Sequence, residues 1–267
     1  MGGAGSRRNL DEMCFWDTQV TRGNGFRRCF YDEVNQHLWR LIESRAGSLC
    51  GRRVLFVGCG TSSAEAKLLA SRGAEVWCLD ISHESLRQLL RHPFGAARKV
   101  VFAVEADAEH MPFADGIFDL AVGKAIIHHL SIADFVKELR RVCVSDGLLV
   151  FSEPLGTNPL INLFRRLTPD SRVPTEHPLT MADVRLIAAE CNGFFARYSF
   201  LLSLASVPCF FLGLPRIGHL VFRLGNTLDK VMFAICPSAR SLAWNVTFDG
   251  RLISDRQAAG AGDDQNG

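Results

Sequence analysis

The chain has 267 residues, of which 48% are hydrophobic and 22% charged, and its formal net charge is +2. That length holds one α/β domain with additions and buries enough surface to fold without staples. The near-neutral balance, with no basic stripe interleaved with aromatics, excludes a field built to recruit nucleic acid.

Residues 1–28 are polar, carry Gly and Arg, and read as a flexible N-terminal arm. No apolar run follows Met1, so no secretory signal is expected; Gly2, with Ser6 and Arg7-Arg8 behind it, also matches an N-myristoylation pattern. Phe30 to Ser48 has helical periodicity, with Val34, Leu38, Leu41 and Ile42 on one face. A first strand runs to Val57, Gly58 to Thr61 make a turn, and Ser63 to Arg72 a helix that Gly73 ends. Glu75 to Leu79 is a second strand ending at Asp80, and Ser82 to Leu90 a helix. Lys99 to Glu105 is a third strand, Asp107 to Gly116 a loop and Phe118 to Gly123 a fourth strand. Ile132 to Val142 is a helix, Asp146-Gly147 a turn and Leu148 to Ser152 a fifth strand. Short, apolar, nearly continuous strands separated by helices predict a parallel sheet covered on both faces. Ligands bind such a sheet at the carboxyl ends of its strands.

The nine cysteines, Cys14, Cys29, Cys50, Cys59, Cys78, Cys143, Cys191, Cys209 and Cys236, are odd in number and never form C-x-x-C. A disulfide framework or metal site is not expected, and a reducing cytoplasmic setting is.

Chemistry gathers at three strand ends. Val54-Leu-Phe-Val-Gly58-Cys59-Gly60-Thr61-Ser62 is a buried strand, a glycine turn that lets a ligand approach the backbone, and a helix start that favours an anion. Alone it is weak, because the third glycine of a dinucleotide fingerprint is missing. Asp80 follows Gly58 by 22 residues and ends the next strand, where a carboxylate can accept both hydroxyls of a ribose. Asp107, after the third strand, can meet an adenine amino group.

With these segments in hand, Arg53 to Glu153 resembles the class I S-adenosylmethionine (SAM)-dependent methyltransferases, in particular the small-molecule group that includes the ubiquinone/menaquinone C-methyltransferases. The resemblance rests on VLFVGCGTS, CLDIS, EADAEHMPFADGIFDLAVGKAIIHHL, KELRRV and GLLVFSEP. It implies a doubly wound, mostly parallel Rossmann-like methyltransferase sheet. It implies SAM as cofactor, its methionine part at Gly58, Cys59, Gly60 and Thr61, its ribose on Asp80 with Ile81 alongside, and its adenine by Asp107 and Ala108. Lys124 would line the methyl-transfer cleft. Two departures stand out: Phe56 occupies a position that is usually acidic, and Ser62 one that is often glycine. They leave open a catalytically degenerate binding or scaffold protein. A nucleotide-dependent oxidoreductase is the third reading, disfavoured by the missing glycine.

Methyl transfer from a sulfonium needs alignment, and a base only when the acceptor must lose a proton. His128 and His129 follow the fourth strand and are candidate bases; the alternative is a packing role. Glu153, Glu176 and His177 are candidates to face the acceptor, or else a turn cap and a solvated loop. Thr180 with Asp183 reads as a capped helix start, and Glu153 to Pro169 as a substrate-cap insertion.

The excess hydropathy, +0.10 on average, lies after residue 198. Ser199 to Leu214 has no charge but is short and interrupted by Pro208, so a standard transmembrane span is not expected. It reads as a buried substrate-domain hairpin, an interfacial element or an oligomer interface. Ile217 to Cys236 is amphipathic and suits either a cap over the acceptor or a membrane-facing helix. Domains are therefore expected at 29–198 (SAM-binding), 199–255 (an apolar cap or membrane-proximal helical extension) and 256–267 (a disordered tail). The expected acceptor is a small molecule, apolar or lipid-like, with peripheral membrane contact through 199–236 as one reading.

Overall fold

The computed structural model describes residues 28–167 and 176–253. The expected arm, the Gly2 pattern and the tail lie almost wholly outside these residues.

Seven strands form one sheet in the order β3-β2-β1-β4-β5-β7-β6. They are β1 (Arg53–Val57), β2 (Glu75–Asp80), β3 (Val101–Glu105), β4 (Phe118–Lys124), β5 (Cys143–Pro154), β6 (Cys191–Ser199) and β7 (Asn245–Leu252). The first five pair in parallel, while β7 enters antiparallel between β5 and β6. The helices are α1 (Arg28–Ala46), α2 (Ser63–Ser71), α3 (His83–Arg91), α4 (Ile132–Val142), α5 (Pro159–Leu167), α6 (Met181–Ala189), α7 (Val207–Phe211) and α8 (Pro215–Ile235).

Two-residue alternation sorts the central strands onto two cores. Leu55, Val57, Leu79, Ala121 and Leu149 pack with Phe135 and Leu139 of α4 and Ile187 of α6. Val54, Phe56, Val76, Leu120 and Val150 pack with Leu38 and Ile42 of α1, Leu69 of α2 and Leu89 of α3. Because both faces are covered, these strands read as unbroken apolar runs. A third core joins Phe30 and Val34 of α1 to Phe200, Leu204 and Phe222 of α8, with Ile161 of α5 packed against it. Phe30 meets Phe200 and Phe222 edge-on, at ring distances of 5.1 and 4.9 Å. Chain order reverses between β1 and β4, which opens a crevice at their carboxyl ends.

The C-terminal half departs from the sequence reading. The segment 199–214 is no hairpin: a 3-10 turn over Leu202–Ser206 leads into α7, whose first turn holds Pro208 where no amide donor is needed. Asn245–Leu252, expected in the extension, completes the sheet. Its Asp249-Gly250 pair looks like a turn signal, but the buried Asp249 carboxylate is met by Arg45 of α1. β5 begins five residues early, at Cys143 rather than Leu148. Asp146 takes a left-handed φ of 66°, so the expected turn is absorbed as an irregularity in the strand.

Candidate active site

The glycine loop sits at the crevice. Gly58 and Gly60 have φ of +58° and +51°, a region costly to side-chain-bearing residues. A Cβ on Gly58 would lie 2.6 Å from the Ile126 side chain, whereas a Cβ on Gly60 would meet nothing within 4 Å among the described residues. Cys59 N donates to Leu79 O (3.2 Å), tying the loop to β2. Burial first, then Cys78 and Asp80, pushes the Cys59 thiol up, so it stays a neutral packing group. Thr61 is exposed at the rim.

Asp80 links the loop to the next helix. Its Oδ2 accepts from Gly60 N (2.7 Å) and its Oδ1 from Ser82 N (2.9 Å), while Ile81 between them is half-buried. Ala106 N donates to Asp80 O (3.1 Å), which brings the end of β3 alongside. There Asp107 Oδ1 accepts from Glu109 N (2.8 Å), and Ala108 is buried. The loop onward is braced by Arg141, which donates to Phe113 O (2.6 Å) and Met111 O (2.8 Å). The guanidinium of Arg141 in turn holds the Glu138 carboxyl below its ordinary value.

Lys124, at the end of β4, points into a polar cluster. Its Nζ donates to Asn35 Oδ1 of α1 (2.8 Å) and to Glu65 Oε1 in the first turn of α2 (3.0 Å), and lies 5.9 Å from the Tyr31 ring centroid. Sequence reasoning missed Glu65, although it follows Gly60 by five residues at the start of the next helix. Asn35 gave no signal, since only packing of α1 brings it there.

The β4–α4 connection is strained into place. Ala125 has φ 54° and donates to Ser152 O (2.8 Å). Glu153, fully buried, accepts from Ile126 N (2.9 Å) and Ile127 N (3.0 Å) through Oε1. Its Oε2 lies 2.8 Å from His128 Nδ1. His128 Nε2 lies 3.8 Å from Glu176 Oε1, which accepts from Arg165 of α5 (3.3 Å). His177 N donates to His128 O (2.8 Å), but the His177 side chain is exposed. His129 is buried against the His128 ring, 4.1 Å away. The fold thus gathers His128, Glu153 and Glu176 from three segments and leaves the side chain of His177 outside. Arg165 is the member the sequence did not suggest. Among the described residues, no group of three or more His, Cys, Asp or Glu is placed to hold a metal ion.

Residues 55–151 match the family of the methyltransferase domain. Over these residues the chain is similar to that family. Similarity to whole proteins centres on the same region. The chain is 42% identical over 103 residues to a malonyl-[acyl-carrier protein] O-methyltransferase of Geobacter sulfurreducens, which covers 38% of each protein. It is 39% identical over 134 residues to a demethylmenaquinone methyltransferase of Thermobifida fusca, covering 46% of this chain and 56% of that one. The matches therefore span well under two thirds of these relatives. In fold, the chain resembles the geranyl diphosphate C-methyltransferase from Streptomyces coelicolor, solved with Mg2+, geranyl diphosphate and S-adenosylhomocysteine. The TM-score is 0.59 at 13% identity, over 92% of this chain and 98% of that one.

Proposed function

We propose that the protein transfers a methyl group from SAM to a small, apolar or lipid-like acceptor. The observation that carries the reading is the junction of Gly60 and Asp80 at the ends of β1 and β2, a carboxylate 2.7 Å from a glycine amide whose Cβ position is unfilled among the described residues. A ligand with a ribose beside an amino-acid moiety fits such a junction. Gly58, Cys59, Gly60 and Thr61 would hold the methionine part, Asp80 the ribose hydroxyls with Ile81 against the ring, and Asp107 and Ala108 the adenine. The relatives' names support methyl transfer, and the demethylmenaquinone in one of them supports an apolar acceptor.

When bound, SAM supplies an activated methyl on a sulfonium. The chain's own residues align and exclude water. Phe56 is buried in the core behind β1 and cannot replace the usual acid. Glu65, which accepts from Lys124 in the first turn of α2, is the carboxylate we propose in its stead. His128 is the proposed base: Glu153 accepts from Nδ1–H, which leaves Nε2 to take a proton from an acceptor hydroxyl or acidic carbon. Glu176, paired with Arg165, lies beside it.

A scaffold that has lost turnover is the second reading, favoured by Phe56 and by the Lys124 cation in the cleft. Calorimetry with SAM, S-adenosylhomocysteine and NAD separates the cases. Binding of the first two at micromolar strength is expected. Binding of none would leave the scaffold, and binding of NAD alone would replace the proposal with a nucleotide-dependent oxidoreductase. A screen of labelled methyl transfer into lipid and metabolite extracts would then name the acceptor.

A further inference from the structure

The outer face of α8 has no partner among the described residues. Ile217, Leu220, Leu224, Leu228, Val231 and Ile235 recur every three or four positions and are each half or more exposed. At ~100° per residue they form one row, about 27 Å long. Just before it, Phe211 and Leu212 at the end of α7 are 63% and 74% exposed. A soluble surface seldom presents so continuous an apolar strip.

The strip is held rigidly. The opposite face of α8 packs inward through Phe222, Gly225 and Phe233. A Cβ on Gly225 would lie 2.6 Å from Ser203 Cα, so the helix lies directly on the 3-10 turn. Asp229, the sole acidic residue of α8, is fully buried. Its carboxylate accepts from Leu201 N (3.0 Å), Leu202 N (2.7 Å) and Ser203 Oγ (2.7 Å).

The exposed charges of α8 are therefore all basic. Arg216, Arg223 and Lys230 are seven residues apart, which aligns them along one flank of the apolar row. Lys230 is partly engaged, 3.4 Å from Glu33. This is the pattern of a helix that lies in a membrane interface, with its apolar face among acyl chains and its cations at the depth of anionic headgroups. A spanning orientation would drive Arg223 and Lys230 into hydrocarbon, and no described helix is long and apolar enough to cross a membrane. A second copy of the same helix offers the cations no exposed acid, so a self-complementary dimer lacks charge matching.

We infer that α7 and α8 dock the protein on the surface of an anionic bilayer. α5 lies between this surface and the site: its Ile161 joins the core that carries Phe222, and its Arg165 reaches Glu176 beside His128. A lipid-like acceptor would then reach the crevice without crossing water. The docking surface itself stands whether or not methyl transfer does.

The test is co-sedimentation of the full chain with vesicles of phosphatidylcholine alone and with 30% phosphatidylglycerol. Binding to the anionic vesicles is expected, at least tenfold tighter than to neutral ones and weakened by salt. The double variant Leu224→Glu, Leu228→Glu should lose at least tenfold in vesicle binding while its Tm and its SAM affinity stay unchanged. Arg223→Gln should lose about fivefold on anionic vesicles and little on neutral ones. A wild-type chain that stays in the supernatant with both vesicle types overturns the inference. So does a concentration-dependent dimer that the double variant dissolves while vesicle binding is absent. Loss of SAM binding with vesicle binding retained would strike the proposed function and leave the docking surface intact.

Discussion

Asp80 and Glu153 are carboxylates whose roles depend on which oxygen faces what. In Asp80→Ala the Gly60 and Ser82 amides lose their acceptor, and the ribose would lose two charge-assisted hydrogen bonds. At about 1.5–3 kcal/mol each, SAM affinity should fall at least ~100-fold by calorimetry. Full affinity in that variant would show the ribose is misplaced. In the proposed reaction Glu153 would act as a positioning residue, through its contact with His128. In Glu153→Gln one oxygen can still receive the Ile126 and Ile127 amides, but the amide NH2 then meets His128 Nδ1 and shifts the ring proton to Nε2. We expect turnover to fall about 10²–10⁴-fold in both Glu153→Gln and His128→Gln, with SAM affinity unchanged. A structural role alone would lower Tm and spare the pH profile of kcat. The sequence exposed Asp80 and Asp107 because one ends a strand and the other follows the next strand by two residues. It could not expose Asn35 or Arg165, whose meaning comes from elements 89 residues from Lys124 and 11 from Glu176.

At the scale of elements, α1 and α8 meet through Glu33. The imidazole of His37, 3.0 Å away, is the largest cause that holds its carboxyl down to about 2, with Asn226 and Lys230 adding to it. A folded-state value below the unfolded one contributes stability that is present above about pH 4.5 and lost as pH falls toward 2. Acid unfolding followed by circular dichroism should show this loss, of order 1–2 kcal/mol after allowance for partial exposure, and Glu33→Gln should remove it. The seat of α8 is tested at Gly225. Gly225→Ala forces a methyl against the Ser203 backbone, so a destabilisation of about 1–3 kcal/mol is expected despite the better helix propensity of alanine. A Tm at or above wild type would mean α8 does not rest on that turn. Helical period in the sequence foretold the long C-terminal helix. Which side faces inward was hidden, because both sides of α8 are apolar and only a buried aspartate and two glycines mark the packed one.

The whole molecule is closed by its last strand. β7 pairs with β5 over Leu148–Pro154 and with β6 over Cys191–Ser199, and places Val246, Phe248 and Leu252 in the first core. A chain ending at Trp244 should lose cooperative thermal unfolding by circular dichroism, since β6 would have no neighbour and β5 an open edge. A truncated chain that melts in one sharp step would show that 245–252 is dispensable. What the sequence by itself determined is the first half of the sheet and the candidate site at the carboxyl ends of β1, β2 and β3. There, strand, turn and helix are contiguous, and the period of apolar residues reports both faces of a buried sheet. What only the tertiary structure decided is the placement of β6 and β7, the Lys124–Glu65–Asn35 cluster, the Glu153–His128–Glu176–Arg165 chain and the free face of α8. Each depends on contacts between distant segments, and side-chain periodicity cannot encode which buried surface meets which.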